Sequence, residues 1–318
     1  MRPLKLPPLA LLAVVLGLAS LTARPAEPAF TVRQESNRLH IAASGRTLAT
    51  FVFQDERTLR PYFANLHTLG GVQVTRNHPP VEGQDATDHD TMHPGVWLAF
   101  GDLNGQDFWR NKGRVDHVRF TEPPASGDER LTFATECRLL AADGATLGSL
   151  TNRFTLAALT NAWLLIWEAT FHSDHGDLIF GDQEEMGFGA RVATAITEKN
   201  GGAIASSSGL KTAKNTWGQP AEWCDYSGTV GSQRVGIVLM ADPANFRPGW
   251  WHNRDYGLMV ANPFGREAMK QGAGSVVTVK RGETFRLRFG AVIHQGGAVS
   301  SGALYQGFLE EIAGTHPP

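Results

Sequence analysis

Short runs in which hydrophobic and polar residues alternate occur along most of the chain and predict an all-β fold. In residues 131–139 and 284–293 most apolar side chains recur at every second position, as in a strand with one buried face. Residues 162–171 (AWLLIWEATF) are nearly all apolar, which predicts a strand buried on both faces. Only residues 303–312 have the pattern of a helix.

Turn residues bound these runs and delimit the other predicted strands. Ser44-Gly45 predicts a tight turn, and Asp143-Gly144 predicts a hairpin because both of its positions tolerate positive φ. The remaining predicted strands are residues 30–35, 38–43, 47–53, 72–75, 96–100, 146–156, 235–240, 258–261 and 276–279. So many strands in an uninterrupted chain predict a large antiparallel β-sandwich with a short C-terminal helix.

Residues 30–318 show no linker, charge block or internal repeat, so we predict a single domain there. Residues 1–23 have the pattern of a signal peptide, with a basic start, an apolar run over 9–18 and an end rich in small residues. That run is shorter than the roughly 18 apolar residues of a membrane span. Residues 24–29 then form a Pro/Ala-rich leader. We therefore expect a periplasmic or extracellular protein without integral membrane association; an uncleaved N-terminal anchor is the alternative.

Composition limits the classes of partner. The formal net charge of -2 gives no electrostatic basis for binding nucleic acid. The 35 glycines and 8 tryptophans suit a turn-rich β protein with an aromatic-lined cleft. Cys137 and Cys224 either pair or remain free thiols, and without a C-x-x-C pattern they do not indicate structural zinc. The chain also lacks the nucleotide-binding glycine motifs, G-x-S-x-G and H-E-x-x-H.

Candidate chemistry is concentrated in residues 85–109, DATDHDTMHPGVWLAFGDLNGQDFW. Asp88, His89 and His93 precede the apolar run 96–100, and titratable residues on a loop beside a buried strand are typical of a functional site. The histidines suit general acid–base catalysis because their free pKa lies near neutrality. Their spacing also permits metal binding, although a loop does not fix both rings on one side. Ordinary surface histidines are the alternative.

A second candidate segment is residues 181–191, GDQEEMGFGAR. If it is a strand, Glu185 and Arg191 share a face with two glycines, and Glu184 lies on the opposite, apolar face. Glycine often marks the close approach of a ligand. We therefore predict that Glu185 and Arg191 flank a bare floor for a sugar ring or a carbonyl. A structural ion pair with a glycine bulge is the alternative.

Aromatic-rich segments add groups that suit a carbohydrate ligand. An extended backbone over residues 250–256 (WWHNRDY) gives one polar face, formed by His252, Arg254 and Tyr256. Trp217 and Trp251 are candidates for stacking on a sugar, with core packing as the alternative. Arg76, after the predicted strand 72–75, is a candidate for binding a carboxylate or hydroxyls, or else a solvated loop arginine.

Several segments, in order along the chain, resemble the exported bacterial family labelled methane oxygenase PmoA, or PmoA-like. They are YFANLHTLGGVQVTRNHPP, DHDTMHPGVWLAFGDLNGQDFW, EEMGFGAR, WCDYSG and WHNRDYGLMVANPFG. The resemblance implies a large β-sandwich similar to the galactose-mutarotase supersandwich and a setting among polysaccharide-degrading genes. It does not imply methane oxidation, because the membrane subunit of that name needs transmembrane helices. Mutarotase-like sandwiches use a histidine acid and a carboxylate base around a sugar.

The resemblance also implies a set of site residues. The positions that match the family motifs are Arg76, Asp88, His89, His93, Trp97, Glu185, Arg191, His252, Arg254 and Tyr256. Relatives often read D-H-P-H-H-R-G where residues 88–95 of this chain read DHDTMHPG. A histidine and an arginine are therefore missing or displaced, and this departure bears directly on any metal site.

Together these features predict an exported enzyme that acts on a glycoside or an oxidised sugar by proton transfer, without a cofactor. The expected catalytic groups are Glu185 as base and, as candidate acids, His89, His93 and His252. Substrate binding is expected from Arg76, Asp88, Trp97, Arg191, Trp217, Trp251, Arg254 and Tyr256, with the arginines holding hydroxyls or a developing oxyanion. The alternatives are a non-catalytic glycan-binding protein and a metal-dependent enzyme that uses His89 and His93.

Overall fold

The computed structural model describes residues 30–127, 129–297 and 300–314, so the predicted signal peptide (1–23) and leader (24–29) lie outside the described residues. The described α-helices are α1 (Ala213–Thr216) and α2 (Ser301–Gly314). In chain order, the described strands β1 to β18 are Phe30–Glu35, Arg38–Ala43, Arg46–Val52, Tyr62–Ala64, Val96–Phe100, Arg114–Ser126, Arg130–Leu140, Thr146–Leu159, Ala162–His172, Leu178–Phe180, Met186–Arg191, Ala203–Ser206, Trp223–Val230, Gln233–Ala241, Trp250–Trp251, Leu258–Asn262, Val277–Val279 and Thr284–Gln295.

Most of these strands form two large antiparallel sheets. Within the described part of the chain, the first sheet has the order β1-β2-β3-β4-β5-β11-β16-β15. The second has the order β12-β13-β14-β18-β9-β8-β7-β6, and β10 forms a separate two-stranded pair with β17. The predicted all-β sandwich with a C-terminal helix is confirmed.

The main hydrophobic core lies between the two sheets. Phe51 of β3 contacts Phe154 of β8 with ring centroids 4.7 Å apart. Phe188 of β11 stacks on Phe289 of β18 at 5.2 Å. Such aromatic pairs contribute about 0.5–1.5 kcal/mol beyond the burial of their area, and here they join one sheet to the other.

Strand β9 is buried on both faces, as its continuous apolar sequence predicts, because α2 covers its outer face. Leu164 and Ile166 of β9 pack with Phe308 of α2 in a separate apolar cluster. Trp167 of the same strand belongs to the core between the sheets. The outer face of the second sheet is therefore covered by a helix at this point.

Turn chemistry accounts for the hairpins that were predicted. Ser44 and Gly45, between β2 and β3, both have positive φ, at 50° and 75°. Gly144, between β7 and β8, has φ 87°. These values belong to the left-handed region that tight hairpin turns require.

One local prediction fails, and one long strand is absent from the predictions. The predicted strand 72–75 makes only isolated bridges, one of which pairs Thr75 with Val192. The long strand β6 is not predicted because it contains Pro123 and Pro124, and proline normally argues against a strand. Both prolines are tolerated because β6 is the last strand of its sheet, where a missing N–H need not break a hydrogen bond to a neighbouring strand.

The outer face of the first sheet carries a third apolar cluster, and this face positions the candidate site. Tyr62 of β4, Trp97 of β5 and Val260 of β16 pack there with Trp109 and Met92 from the loops. Trp97 is paired with Tyr62 on one side and with Gly189 of β11 on the other. Buried aromatic rings therefore form the base on which the loop residues lie.

Replacing Gly189 by alanine is expected to destabilise the fold by about 1–3 kcal/mol, because the new methyl group would overpack this base. An ideal Cβ at Gly189 lies 2.8 Å from the indole of Trp97. Gly307 in α2 is the matched control, since a Cβ there meets nothing within 4 Å and alanine favours helix by about 0.5–1 kcal/mol. Chemical denaturation of both variants checks this, and an unchanged G189A stability would contradict it.

Both cysteines, Cys137 and Cys224, are buried free thiols. Burial raises the pKa of the Cys137 thiol to about 12, so this group is unreactive at neutral pH. None of the helices in the described residues is long and apolar enough to cross a membrane.

Candidate functional site

A row of stacked rings fixes the loop 85–93 on the outer face of the first sheet. His93 stacks on Trp97 with ring centroids 5.2 Å apart, and His89 stacks on His93 at 4.9 Å. The ring of Tyr256, from the segment after β15, lies nearly parallel to that of His89 at 6.5 Å. The row brings together two segments that are far apart in sequence.

Arg191, the last residue of β11, holds this row together by charge. Its guanidinium donates to both carboxylate oxygens of Asp88, at 3.1 and 3.4 Å, and lies 4.4 Å from the centre of the Tyr256 ring. It also lies 3.3 Å from Nδ1 of His93, which must accept, so the His93 proton is on Nε2. Burial and the charge of Arg191 hold the pKa of His93 well below its usual value, so this ring is neutral.

His89 is the accessible histidine of the row. Its side chain is 43% exposed, and its Nδ1 lies 2.6 Å from Oδ2 of Asp88. Burial raises the pKa of Asp88, but the hydrogen bond from His89 and the charge of Arg191 outweigh it and hold that pKa below the usual value. A carboxylate on Nδ1 fixes the tautomer and leaves Nε2 for a ligand. The backbone of His89 has φ 51°, a strained value of the kind that clusters at functional sites.

Glu184 forms the second polar cluster of the site. Its Oε1 accepts a hydrogen bond from Nε1 of Trp217 at 2.5 Å and another from Arg254. The same oxygen lies 3.3 Å from Nε2 of His252. Oε2 has no hydrogen-bond partner among the described residues, and the side chain is 28% exposed. One carboxylate oxygen is therefore occupied and the other is free to meet a ligand.

His252 lies behind Glu184, with its side chain 4% exposed. Its Nδ1 lies 3.0 Å from the backbone oxygen of Glu184, so Nδ1 donates and Nε2 is left with a lone pair that faces Oε1. Burial lowers the pKa of His252 to about 4, against the effect of the Glu184 carboxylate. His252 is therefore neutral, and its lone pair lies against the oxygen of Glu184 that Trp217 and Arg254 already hold.

Tyr256 links the two clusters into one site. Burial raises the pKa of Tyr256. The charges of Arg191, in the histidine row, and of Arg254, beside Glu184, both oppose that rise, so the phenol interacts electrostatically with both clusters. Beyond Arg254, a cavity of about 370 Å³ opens beside Trp217 and Lys214. The candidate site is therefore an elongated strip that begins at the histidine row and ends at this cavity.

Glu185, the predicted base, does not join this strip. Strand β11 begins at Met186, so the alternation expected from residue 184 starts only after both glutamates. The carboxylate of Glu185 pairs with Arg110, and its backbone oxygen accepts from Gly101. The structure instead places Glu184, which sequence reasoning assigned to the apolar face, beside His252.

The glycine floor predicted between Glu185 and Arg191 is not bare. The indole of Trp97 covers Gly189, as the close approach of a Cβ there shows. A Cβ at Gly187 would lie 2.1 Å from the backbone oxygen of Ala261. Trp97 is itself fully buried, so it supports His93 from below and offers no face to a sugar.

Arg76 also supports the site rather than lining it. The side chain is buried, and its guanidinium donates to carbonyl oxygens of the loop above it. The acceptors are the backbone oxygens of Ala86 and Asp88 at 2.7 Å and those of His89 and His93 at 3.3 Å. The substrate-binding role predicted for Arg76 is thus replaced by that of a clamp that shapes the loop.

Of the two tryptophans predicted to stack on a sugar, only Trp217 reaches the site. Trp251 is 1% exposed, belongs to the core between the sheets and donates to the backbone oxygen of Ala221 at 3.0 Å. The alternation expected over 250–256 accounts for Trp251, since it directs that side chain inward.

The arrangement offers little to a metal ion. Within the ranges that the structure describes, no three His, Cys, Asp or Glu side chains group so as to hold one. In the loop 85–93, Arg191 engages both the Asp88 carboxylate and Nδ1 of His93. A fixed guanidinium at this place disfavours a second cation.

Acid is expected to destabilise the protein between about pH 6.5 and pH 4. His252 has a pKa of about 4 when folded and about 6.5 when unfolded. The unfolded state therefore binds the proton first, and stability is full above pH 6.5 and lost as pH falls through this window. His93 acts in the same direction. Urea unfolding at a series of pH values measures this. H252Q should flatten the profile, and an H252Q profile as steep as that of the wild type would contradict the assignment.

Comparison with solved structures finds distant likenesses to this chain. A galactose mutarotase-like protein from Clostridium acetobutylicum is similar over 84% of this chain and 98% of its own, with a TM-score of 0.42 and 10% identity. Galactose 1-epimerase from Lactobacillus acidophilus NCFM is similar over 86% of this chain and 100% of its own, with a TM-score of 0.38 and 10% identity. Likeness at this level carries nothing about activity.

No curated protein matches the chain at a significant level. One family model does match, over residues 38–306, and thus spans nearly all of the sandwich. Its description is a family of unknown function, DUF6807, and it does not include the PmoA label. The chain therefore belongs to the DUF6807 family.

Proposed function

We propose that this protein is an exported enzyme that binds a sugar on the outer face of the first sheet and transfers protons there. Glu184 is the base and His89 is the acid. One observation carries the proposal: each group has one polar atom held by the protein and the other left open. Glu184 has Oε1 held by Trp217 and Arg254, and His89 has Nδ1 held by Asp88.

The chemistry follows from these open atoms. Oε2 of Glu184 removes a proton from a sugar hydroxyl or from a carbon beside a carbonyl. Oε1 stays held by Trp217 and Arg254, so the carboxyl group keeps its orientation when the proton is on Oε2. In its protonated form the imidazole of His89 donates a proton from Nε2 to the ring or leaving oxygen, and Asp88 keeps that imidazole oriented. Anomer interconversion needs only such a base and acid.

The surroundings favour an oxidised sugar. Trp217 is half-buried and offers an indole face beside the cavity, which suits stacking on a sugar ring. Arg254 and Lys214 line the same cavity, and guanidinium and ammonium groups bind carboxylates through charge-assisted hydrogen bonds. Glu198 and Asp255 also line it, but the first accepts from the backbone N–H of Ala213 and the second pairs with Lys199. A uronic acid combines the ring, the hydroxyls and the carboxylate. Export, and membership of a PmoA-like group in polysaccharide degradation, remain predictions from the sequence.

Replacing His89 by glutamine is expected to lower turnover about 100-fold, because the amide cannot donate a proton with the imidazole's acidity. Anomer interconversion of glucuronate and galacturonate is followed by polarimetry, and cleavage of their glycosides by the release of reducing ends. Isothermal titration should show that H89Q still binds the sugar. His175, which is exposed and outside the site, provides the matched control H175Q.

Wild-type protein that binds these sugars without turning any of them over would support the glycan-binding alternative and contradict the enzyme. H89Q turnover equal to that of H175Q would contradict the assignment of the acid.

A further inference from the structure

A second cavity lies on the same outer face of the first sheet, and the loop 85–93 contributes to it as well. Its volume is about 380 Å³. Asp90 and Thr91 line it, and they directly follow the two residues, Asp88 and His89, that belong to the candidate site. The same turn therefore forms a ridge between two clefts.

The floors of the two clefts are continuous. Tyr62 of β4 lines the second cavity and is paired with Trp97 of β5. Trp97 is in turn paired with Gly189 of β11, beneath the candidate site. Neighbouring strands lie about 4.8 Å apart, so the two floors are about 10 Å apart. Successive units of an oligosaccharide can span such a separation.

The walls of the second cavity are fixed by internal hydrogen bonds. The Asp55 carboxylate accepts from the backbone N–H groups of Arg57 and Thr58, at 2.7 and 3.1 Å, and from the Tyr62 hydroxyl at 2.8 Å. Arg57 pairs with Asp90 of the ridge at 2.5 Å. These groups hold the shape of the cavity and are themselves occupied.

Two other groups of the cavity are free to meet a ligand. His78 packs edge-on against Tyr62, with centroids 5.0 Å apart, and its Nδ1 is buried without a partner among the described residues. Burial lowers the pKa of His78 to about 4, so the ring is neutral; its Nδ1 is enclosed by the protein, and Nε2 is the nitrogen that can meet a sugar hydroxyl. Arg38 is exposed at the cavity, and its guanidinium has no hydrogen bond or ion pair with the described residues.

We propose that the second cavity binds a further unit of an acidic oligosaccharide whose reacting unit occupies the candidate site. His78 binds a hydroxyl of that unit and Arg38 binds its carboxylate. The ligand passes over the ridge formed by Asp90 and Thr91. This inference rests on the proposed function and extends it, because it makes the substrate an oligomer of uronic acid rather than a monosaccharide.

Isothermal titration with galacturonate, digalacturonate and trigalacturonate tests the inference. The wild type should bind trigalacturonate about tenfold more tightly than galacturonate, since the second unit adds hydrogen bonds and one ion pair. R38A and H78F should each remove most of this gain, and phenylalanine keeps the ring that packs on Tyr62. Arg33 on β1 is a matched exposed arginine outside the cavity, so R33A should keep the full gain.

The outcomes separate the two proposals. Equal affinity for the monomer and the trimer, or a gain that survives both R38A and H78F in folded protein, overturns the second cavity and leaves the proposed function intact. Failure of the wild type to bind any member of the series overturns both. Circular dichroism of each variant shows that it is folded before the comparison is made.

Discussion

Replacing Glu184 by glutamine is expected to lower turnover by between about 10²- and 10⁴-fold while sugar affinity changes only a few-fold. The amide keeps the size of the side chain, and its oxygen still accepts from Trp217 and Arg254, so the site keeps its shape. It cannot take up a proton, so the proton removal assigned to Oε2 of Glu184 is lost. The rate constant for turnover and the dissociation constant are measured on the same sugar.

Glu185 provides a matched control because it is the adjacent residue and undergoes the same change. Its carboxylate pairs with Arg110 outside the strip, so E185Q should alter turnover less than about twofold. A loss of turnover in E185Q with full activity in E184Q would identify Glu185 as the base, as predicted from the sequence. It would also overturn the site as it is described above.

Replacing Arg76 by methionine is expected to lower the free energy of unfolding by about 3–5 kcal/mol and to abolish sugar binding. Burial lowers the pKa of Arg76 to about 10, so the group is still charged at neutral pH. Its removal leaves the loop carbonyls that it binds without donors, and each such buried group costs about 1–3 kcal/mol. Urea unfolding and limited proteolysis within residues 85–93 measure the two consequences.

Arg57 is the control for this second prediction, since it pairs with Asp90 of the same loop from an exposed position. R57M should cost no more than about 1 kcal/mol, as is usual for a surface ion pair. An R76M protein with wild-type stability and an intact loop would show that Arg76 is not a clamp. It would return that residue to the ligand-binding set.

Much of the sandwich can be predicted from the sequence because apolar and polar residues that alternate with a period of two reveal a strand within a short segment. Alternation located β7 and β18, and the continuous apolar run located β9, which is buried on both faces. The same rule placed His252, Arg254 and Tyr256 of the later segment toward one site, with Trp251 directed away from it. The local pattern is sufficient wherever alternation along an extended backbone alone decides which face of the sheet a side chain occupies.

The remaining features depend on strand boundaries and on contacts between residues far apart in the chain, which no short segment of sequence reveals. Glu184 and Glu185 cannot be told apart until the first residue of β11 is known, and the strand begins at Met186. Arg76 and Trp97 carry groups typical of a binding site, but both are buried beneath a loop whose path depends on contacts distant in sequence. Pairing of Asp88 with Arg191, 103 positions further along the chain, is likewise a tertiary fact.

The most direct test of the account is a crystal structure of E184Q soaked with galacturonate. We predict a bound sugar with one hydroxyl within hydrogen-bonding distance, about 2.6–3.2 Å, of the amide of residue 184. A second oxygen of the sugar should lie at the same distance from Nε2 of His89. A sugar bound against Glu185 and Arg110, with no contact to His89, would contradict the account.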